Sequence, residues 1–139
     1  MDEVGQLMAY ASVLTRDPAR TYREIDLAGR TAAADGPALV QVLYEELGQA
    51  LRVAAWAAEH RQYQTRSERV TRATAILFAL EANLDHDKGG DVSAALQRFY
   101  AGCRRQVVEA AIGTDGAPFR RVAAELDEIA QAWKQARAA

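Results

Sequence analysis

The one stretch where chemically versatile side chains crowd together is Asp85-His86-Asp87-Lys88-Gly89-Gly90-Asp91. Three carboxylates, an imidazole and an amine around two glycines are the raw material of a divalent-ion or phosphate site. A calcium loop between helices wants oxygen ligands at its first, third and fifth positions, glycine at the sixth and a bidentate glutamate at the twelfth. Counted from Asp85, the fifth position is Gly89 and the twelfth is Leu96, so the pattern fails at both. A phosphate loop needs its lysine after the glycines and a strand before them, whereas Lys88 precedes Gly89 and no strand leads in. What remains is an interhelix turn, in which Gly89 and Gly90 supply positive φ and Asp91 caps the next helix.

Elsewhere the chemistry is thin. The histidines are His60 and His86 and the one cysteine is Cys103, too few for a four-ligand zinc cage without carboxylates and unable to form an intramolecular disulfide. That cysteine usage fits a reducing compartment. Two histidines at a helix end and in a loop build no serine–histidine–carboxylate triad, and Glu45-Glu46 point to different parts of a helix surface. Cys103 shares an apolar helical stripe and reads as a small core residue. No catalytic residue, metal or cofactor is expected, and the protein reads as a non-enzyme.

The elements that position these residues follow from composition. Thirty of 139 residues are alanine, the best helix former, and proline occurs only at 18, 37 and 118. No stretch alternates long enough to be a strand. A net charge of −2 excludes a basic nucleic-acid-binding module. The acidic start Met1-Asp2-Glu3 has no leader pattern, and the longest apolar run, Ala75 to Leu80, is too short to span a bilayer, so a cytoplasmic protein with no membrane insertion is expected.

Asp35-Gly36-Pro37 opens a long helix to about His60. Leu39, Leu43, Leu47, Ala50, Ala54 and Ala57 form one buried stripe, and Val40, Tyr44, Leu51 and Ala55 a second greasy strip. Its polar residues, Glu46 aside, fall within an arc of about 100°, so this helix is either central in its bundle or flanks a groove awaiting an apolar partner. A second helix reaches Leu84 through the seam Val70, Ala73, Leu77, Leu80 and Leu84, with Arg66, Arg69 and Arg72 as a solvated face. The third begins near Asp91 and buries Val92, Leu96, Phe99, Cys103, Val107 and Ala110. The last follows Pro118 with Phe119, Val122, Leu126, Ile129, Trp133 and Ala136.

Short loops make neighbouring helices antiparallel. The expected fold is all-α, an antiparallel up-and-down bundle of four long helices (36–139) with an N-terminal helical cap segment (1–35) packed across it, in a single domain over 1–139. Trp56, beside the polar arc, has two readings: an intramolecular contact with the N-terminal segment, or a partner-facing anchor.

Three motifs carry a resemblance. Pro37-Ala38-Leu39-Val40-Gln41-Val42-Leu43-Tyr44-Glu45 resembles the Pro-x-x-Leu-(x-x)-Met-Leu-Tyr-Asp-Gly signature of flagellar export chaperones of the FliS family. Leu84 to Gly90 resembles that family's Leu-Asp-x-Glu-x-Gly-Gly turn, and Leu96-Gln97-Arg98-Phe99-Tyr100 its Leu-x-x-Leu-Tyr. With Trp133 the likeness covers roughly residues 20 to 136. Departures include Val42 for methionine, Glu45-Glu46 for Asp-Gly, Asp87 for glutamate and Ala111 for asparagine. The resemblance implies a cytoplasmic chaperone that wraps the disordered C-terminal segment of flagellin and delivers it to the flagellar export gate. On that reading Val40, Tyr44, Leu47 and Leu51, with Ile76 and Trp56, form a cargo-binding groove. Tyr22 and Ile25 then cover it as a displaceable N-terminal cap. The alternative is a generic helical adaptor that dimerises through its apolar strip.

Overall fold

Residues 36–138 are described by a computed structural model, and every regular element among them is an α-helix. These are α1 (Gly36–Glu59), α2 (Tyr63–Ala82), α3 (His86–Ala110) and α4 (Ala117–Ala138). The expected cap residues Tyr22 and Ile25 lie outside the described residues. Contacts group the helices into two compact units: 36–43 with Ala75–Ala101, and Tyr44–Thr74 with 102–138.

The second unit contains segments of all four helices packed as a bundle. Alanine explains how closely they approach: Ala54, Ala55, Ala57 and Ala58 of α1 are fully buried, with Leu47 and Leu51 filling the levels above them. Val70 and Ala73 of α2, Cys103 and Val107 of α3, and Phe119, Val122, Ala123 and Leu126 of α4 complete the core. The pairing of α1 with α4 is antiparallel. Tyr44 meets Trp133 with ring centroids 5.2 Å apart, Arg52 bonds Asp127 at 2.6 Å, and Glu59 bonds Arg120. As residue numbers rise along α1 they fall along α4, over about 20 Å of helix.

Gly116 permits the tightest of these approaches. A Cβ at that position would lie 2.8 Å from the Ala55 carbonyl oxygen and 2.6 Å from Glu59 Oε2. The neighbouring Asp115 carboxylate accepts the Ala117 N–H at 2.9 Å, which satisfies one orphan donor of the new helix.

The α1–α2 turn is a Schellman motif. The Gln62 N–H reaches the Ala57 carbonyl at 2.8 Å and the Arg61 N–H reaches Ala58 at 3.3 Å, with Arg61 at φ 56° where glycine is usual.

In the first unit, Leu39 and Leu43 of α1, Ile76, Leu77 and Leu80 of α2, and Tyr100 of α3 are buried. Two expectations are corrected here. The interhelix turn uses one positive-φ glycine, Gly90 (φ 49°, ψ −121°), which breaks α3 after its first turn. Gly89 is needed for space: a Cβ there would lie 1.9 Å from Ser93 Oγ, which donates to the Asp85 carbonyl at 2.8 Å. Asp85 takes the capping role assigned to Asp91, its carboxylate accepting the Lys88 N–H at 3.0 Å.

The second correction follows from that break. The buried line on α3 runs through Ser93, Tyr100, Cys103 and Val107, while Val92 is 66% exposed and Leu96 and Phe99 are half-buried. Cys103 and Val107 are buried as expected, but in the N-terminal half of α3 the face lies one position later, with Ser93 and Tyr100 buried in place of Val92 and Phe99 and Ser93 turned inward to bond the turn.

Two substitutions test these local arguments. Arg61→Gly removes the left-handed strain and should stabilise the protein by about 0.5–1 kcal/mol. Gly116→Ala should destabilise it by about 1–3 kcal/mol, since a backbone carbonyl cannot yield to the added methyl. Urea denaturation midpoints measure both.

Candidate binding surface

One line of α1 faces water: Glu45, Gln49, Arg52, Trp56 and Glu59, at alternating steps of four and three residues. An indole in the middle of a polar stripe is the anomaly. Trp56 is 48% exposed and lines an open hollow of about 370 Å³ with Gln49, Arg52 and Val53. Its ring stacks on His60 with centroids 4.5 Å apart and planes 20° from parallel. His60 Nδ1 lies 2.7 Å from the Trp56 carbonyl oxygen. A carbonyl only accepts, so Nδ1 carries the proton in that bond, and the imidazole holds the indole while capping the end of α1.

Charged pairs bracket the hollow. Arg52 leans away toward Asp127, and Gly48 leaves it room, because a Cβ there would sit 3.0 Å from Arg52 Nη1. Both partners are more than half exposed, so the pair orients the side chain more than it stabilises the fold. At the far end Glu59 and Arg120 make a two-pronged pair, one prong 2.8 Å long. The hydrogen bond from Arg120 is the main cause that holds the Glu59 carboxyl below the ordinary carboxylate range, and the same bond raises Arg120. With Arg52 and Glu59 both paired, the hollow presents an apolar wall with little unsatisfied charge.

The arginines of α2 differ from the solvated face expected of them. Arg72 pairs with Glu46 at 3.3 Å, each side chain only 15% exposed. Arg66 donates to the Gly113 carbonyl at 2.6 Å and lies 4.6 Å over the Tyr63 ring, which fastens the start of α2 to the loop after α3. Arg69 is half-buried. Sequence spacing suggested one shared face for the three. It could not show that Glu46, the one polar residue outside the arc of α1, and the Gly113 carbonyl would meet them.

The expected groove residues are distributed as follows. In the first unit Val40 is half-buried and Ile76 buried. In the second, Leu47 and Leu51 are fully buried, and Tyr44 is buried against Trp133. Trp56 alone among the six is exposed. Gln49, Arg52 and Val53, which line its hollow, were missed by the sequence reading. Their spacing from Trp56 at seven, four and three residues was the available signal.

Burial, with a smaller push from the Glu125 charge, raises the Cys103 thiol to about 12, which makes it a poor nucleophile at neutral pH. No group of three or more His, Cys, Asp or Glu able to hold a metal ion occurs among the described residues, and no described helix is long and apolar enough to cross a membrane. The described residues define the chain's class as an all-α helical bundle, with an exposed aromatic surface on α1.

Comparison with known proteins makes the class specific. The family described as flagellar protein FliS matches residues 18–139, and the chain belongs to that family. It is 26% identical over 117 residues to the flagellar secretion chaperone FliS of Salmonella typhimurium, covering 84% of this chain and 87% of that one. It is 25% identical over 114 residues to the flagellar secretion chaperone FliSB of Pseudomonas aeruginosa, covering 82% and 90%.

Two measurements check the electrostatics. The Glu59 carboxyl is held low in the folded state, so its stabilising contribution is present above the range where an unfolded glutamate titrates. It is lost as pH falls through the lowered folded value. Wild type and Glu59→Gln should therefore differ in denaturation midpoint near pH 6 and converge as the pH falls through the lowered folded value. Cys103 should resist a water-soluble thiol reagent in the native protein and react on unfolding.

Proposed function

We propose that the cargo of this flagellar export chaperone is flagellin, held by its C-terminal segment in the cytoplasm so that it cannot polymerise before delivery to the flagellar export gate. The single observation that supports this reading is Trp56, an exposed indole beside an apolar hollow on a helix whose other apolar residues are largely buried. Segments that assemble into helical filaments are amphipathic, and a chaperone that covers the greasy face withholds the contact that nucleates assembly. A large aromatic beside an open hollow is the kind of anchor around which such a face docks.

On this proposal the docking segment reaches Trp56 first. Within the same unit, Tyr44, Leu47 and Leu51, buried in the free chain, join the groove when binding displaces what covers them. Tyr22 and Ile25 are the proposed cap.

Titration calorimetry with flagellin, full length and lacking its C-terminal segment, tests the assignment. One-to-one binding with a negative heat-capacity change, lost on truncation, is expected. Trp56→Ala should weaken binding about tenfold or more while leaving helicity unchanged. Leu51→Ala should instead destabilise the fold by about 2–5 kcal/mol. Deleting residues 1–28 should tighten binding if the cap competes with cargo. Equal affinity of Trp56→Ala and wild type would overturn the role given to the hollow.

A further inference from the structure

The rim of the Trp56 hollow carries an inference that rests on the cargo reading and says what the cargo must present there. Arg52 lines the hollow with Gln49, Val53 and Trp56. Its guanidinium offers several N–H donors in a planar fork, and Asp127 uses one of them, through a single bond from Nη2 at 2.6 Å. Arg52 makes no other hydrogen bond or ion pair among the described residues. Its charge is therefore matched while most of its donors stay open. The Glu59–Arg120 pair on the same side of α1 is the contrast, since there both carboxylate oxygens and two guanidinium nitrogens are engaged.

Gly48 sets where the Arg52 guanidinium lies. It stands inside α1, where glycine weakens the helix relative to alanine. Beyond the helix's own backbone, the three nearest atoms to a Cβ built there all belong to that guanidinium, the closest being Nη1 at 3.0 Å. The absent side chain is what lets the fork lie close against α1.

We propose that Arg52 selects the cargo: its open donors take a carboxylate that the docking segment carries within about one helical turn of the apolar side chain filling the hollow. Arg52 and Trp56 stand one above the other on the same side of α1. An amphipathic helix that seats an apolar side chain beside the indole brings its next turn, about 5.4 Å away, over the guanidinium. A neutral residue at that point would leave donors covered and unpaired once docking removes their water, and a lysine or arginine would meet like charge. A carboxylate fits the fork and can be gripped by two nitrogens at once. Asp127 is then a positioning residue. Its pair with Arg52 adds little stability because both partners are more than half exposed, yet it restrains a long side chain before docking and lowers the entropy lost on binding.

Titration of the full chain with the C-terminal segment of flagellin, its carboxylates replaced by amides one at a time, tests this. Arg52→Gln should weaken binding of the unmodified segment about tenfold or more and flatten its dependence on salt. At one position of the segment the amide should cost about tenfold with wild type and nothing further with Arg52→Gln, because both changes remove the same contact. Arg52→Lys should restore only part of the affinity, since an ammonium cannot make the two-pronged grip. Gly48→Ala separates recognition from folding: the melting temperature of the free protein should rise while its affinity for the segment falls, the added methyl having displaced the guanidinium. Equal binding by wild type and Arg52→Gln, or the absence of any carboxylate coupled to Arg52, would overturn the inference and leave the cargo reading standing. So would a cation of the segment coupled to Asp127 instead. Failure of the wild-type protein to bind the segment at all would overturn both.

Discussion

The second unit depends on one close approach, the backbone at Gly116, just before α4, lying against the last turns of α1. No side chain longer than hydrogen fits there, since a single carbon would meet the Ala55 carbonyl and the Glu59 carboxylate inside van der Waals distance. The fully buried alanines at 54, 55, 57 and 58 extend the same condition along α1. Small residues let the helix axes come together, and close packing then makes the burial of Phe119, Val122 and Leu126 energetically worthwhile. The two-pronged Glu59–Arg120 pair lies over this contact in partial solvent and contributes direction more than depth.

That register decides what α1 can offer outside. With its alanine and leucine faces buried, the helix has one strip left for water, and every position on it but one is polar. Trp56 is held in that strip by His60, whose ring stacks on the indole and bonds its carbonyl. Holding an exposed aromatic still lowers the entropy that would be lost if a partner docked on it, as the proposed role of Trp56 requires. Arg52 lines the hollow while its guanidinium, over the space made by Gly48, is paired with Asp127.

Arginines of α2 do structural work that composition alone would assign to solvent. Arg66 joins the start of α2 to the carbonyl of Gly113, and Arg72 meets Glu46 where both are mostly buried. A buried pair adds modestly to stability, yet losing either partner strands the other charge in a poor medium. Glu46 stands where the family signature carries glycine, and Arg72 supplies the compensation for a carboxylate at that position.

Much of this was legible in the residues themselves. Alanine richness, three- and four-residue apolar spacing and the punctuation by Gly36-Pro37, Gly89-Gly90 and Gly113 to Pro118 place four helices with ends correct to within a few residues, because helix propensity and chain breaking are local. The family likeness also rests on local motifs. What the sequence left open needed partners distant along the chain. Whether the second strip of α1 lies against other helices or lines an open groove depends on which neighbours exist, and the fold buries Tyr44 and Leu51. The start of α3 buries Ser93, which bonds back to Asp85, and the fate of Arg72 and Arg66 depended on Glu46 and a carbonyl at 113. Periodicity states which residues share a side of a helix; only tertiary structure decides what that side meets.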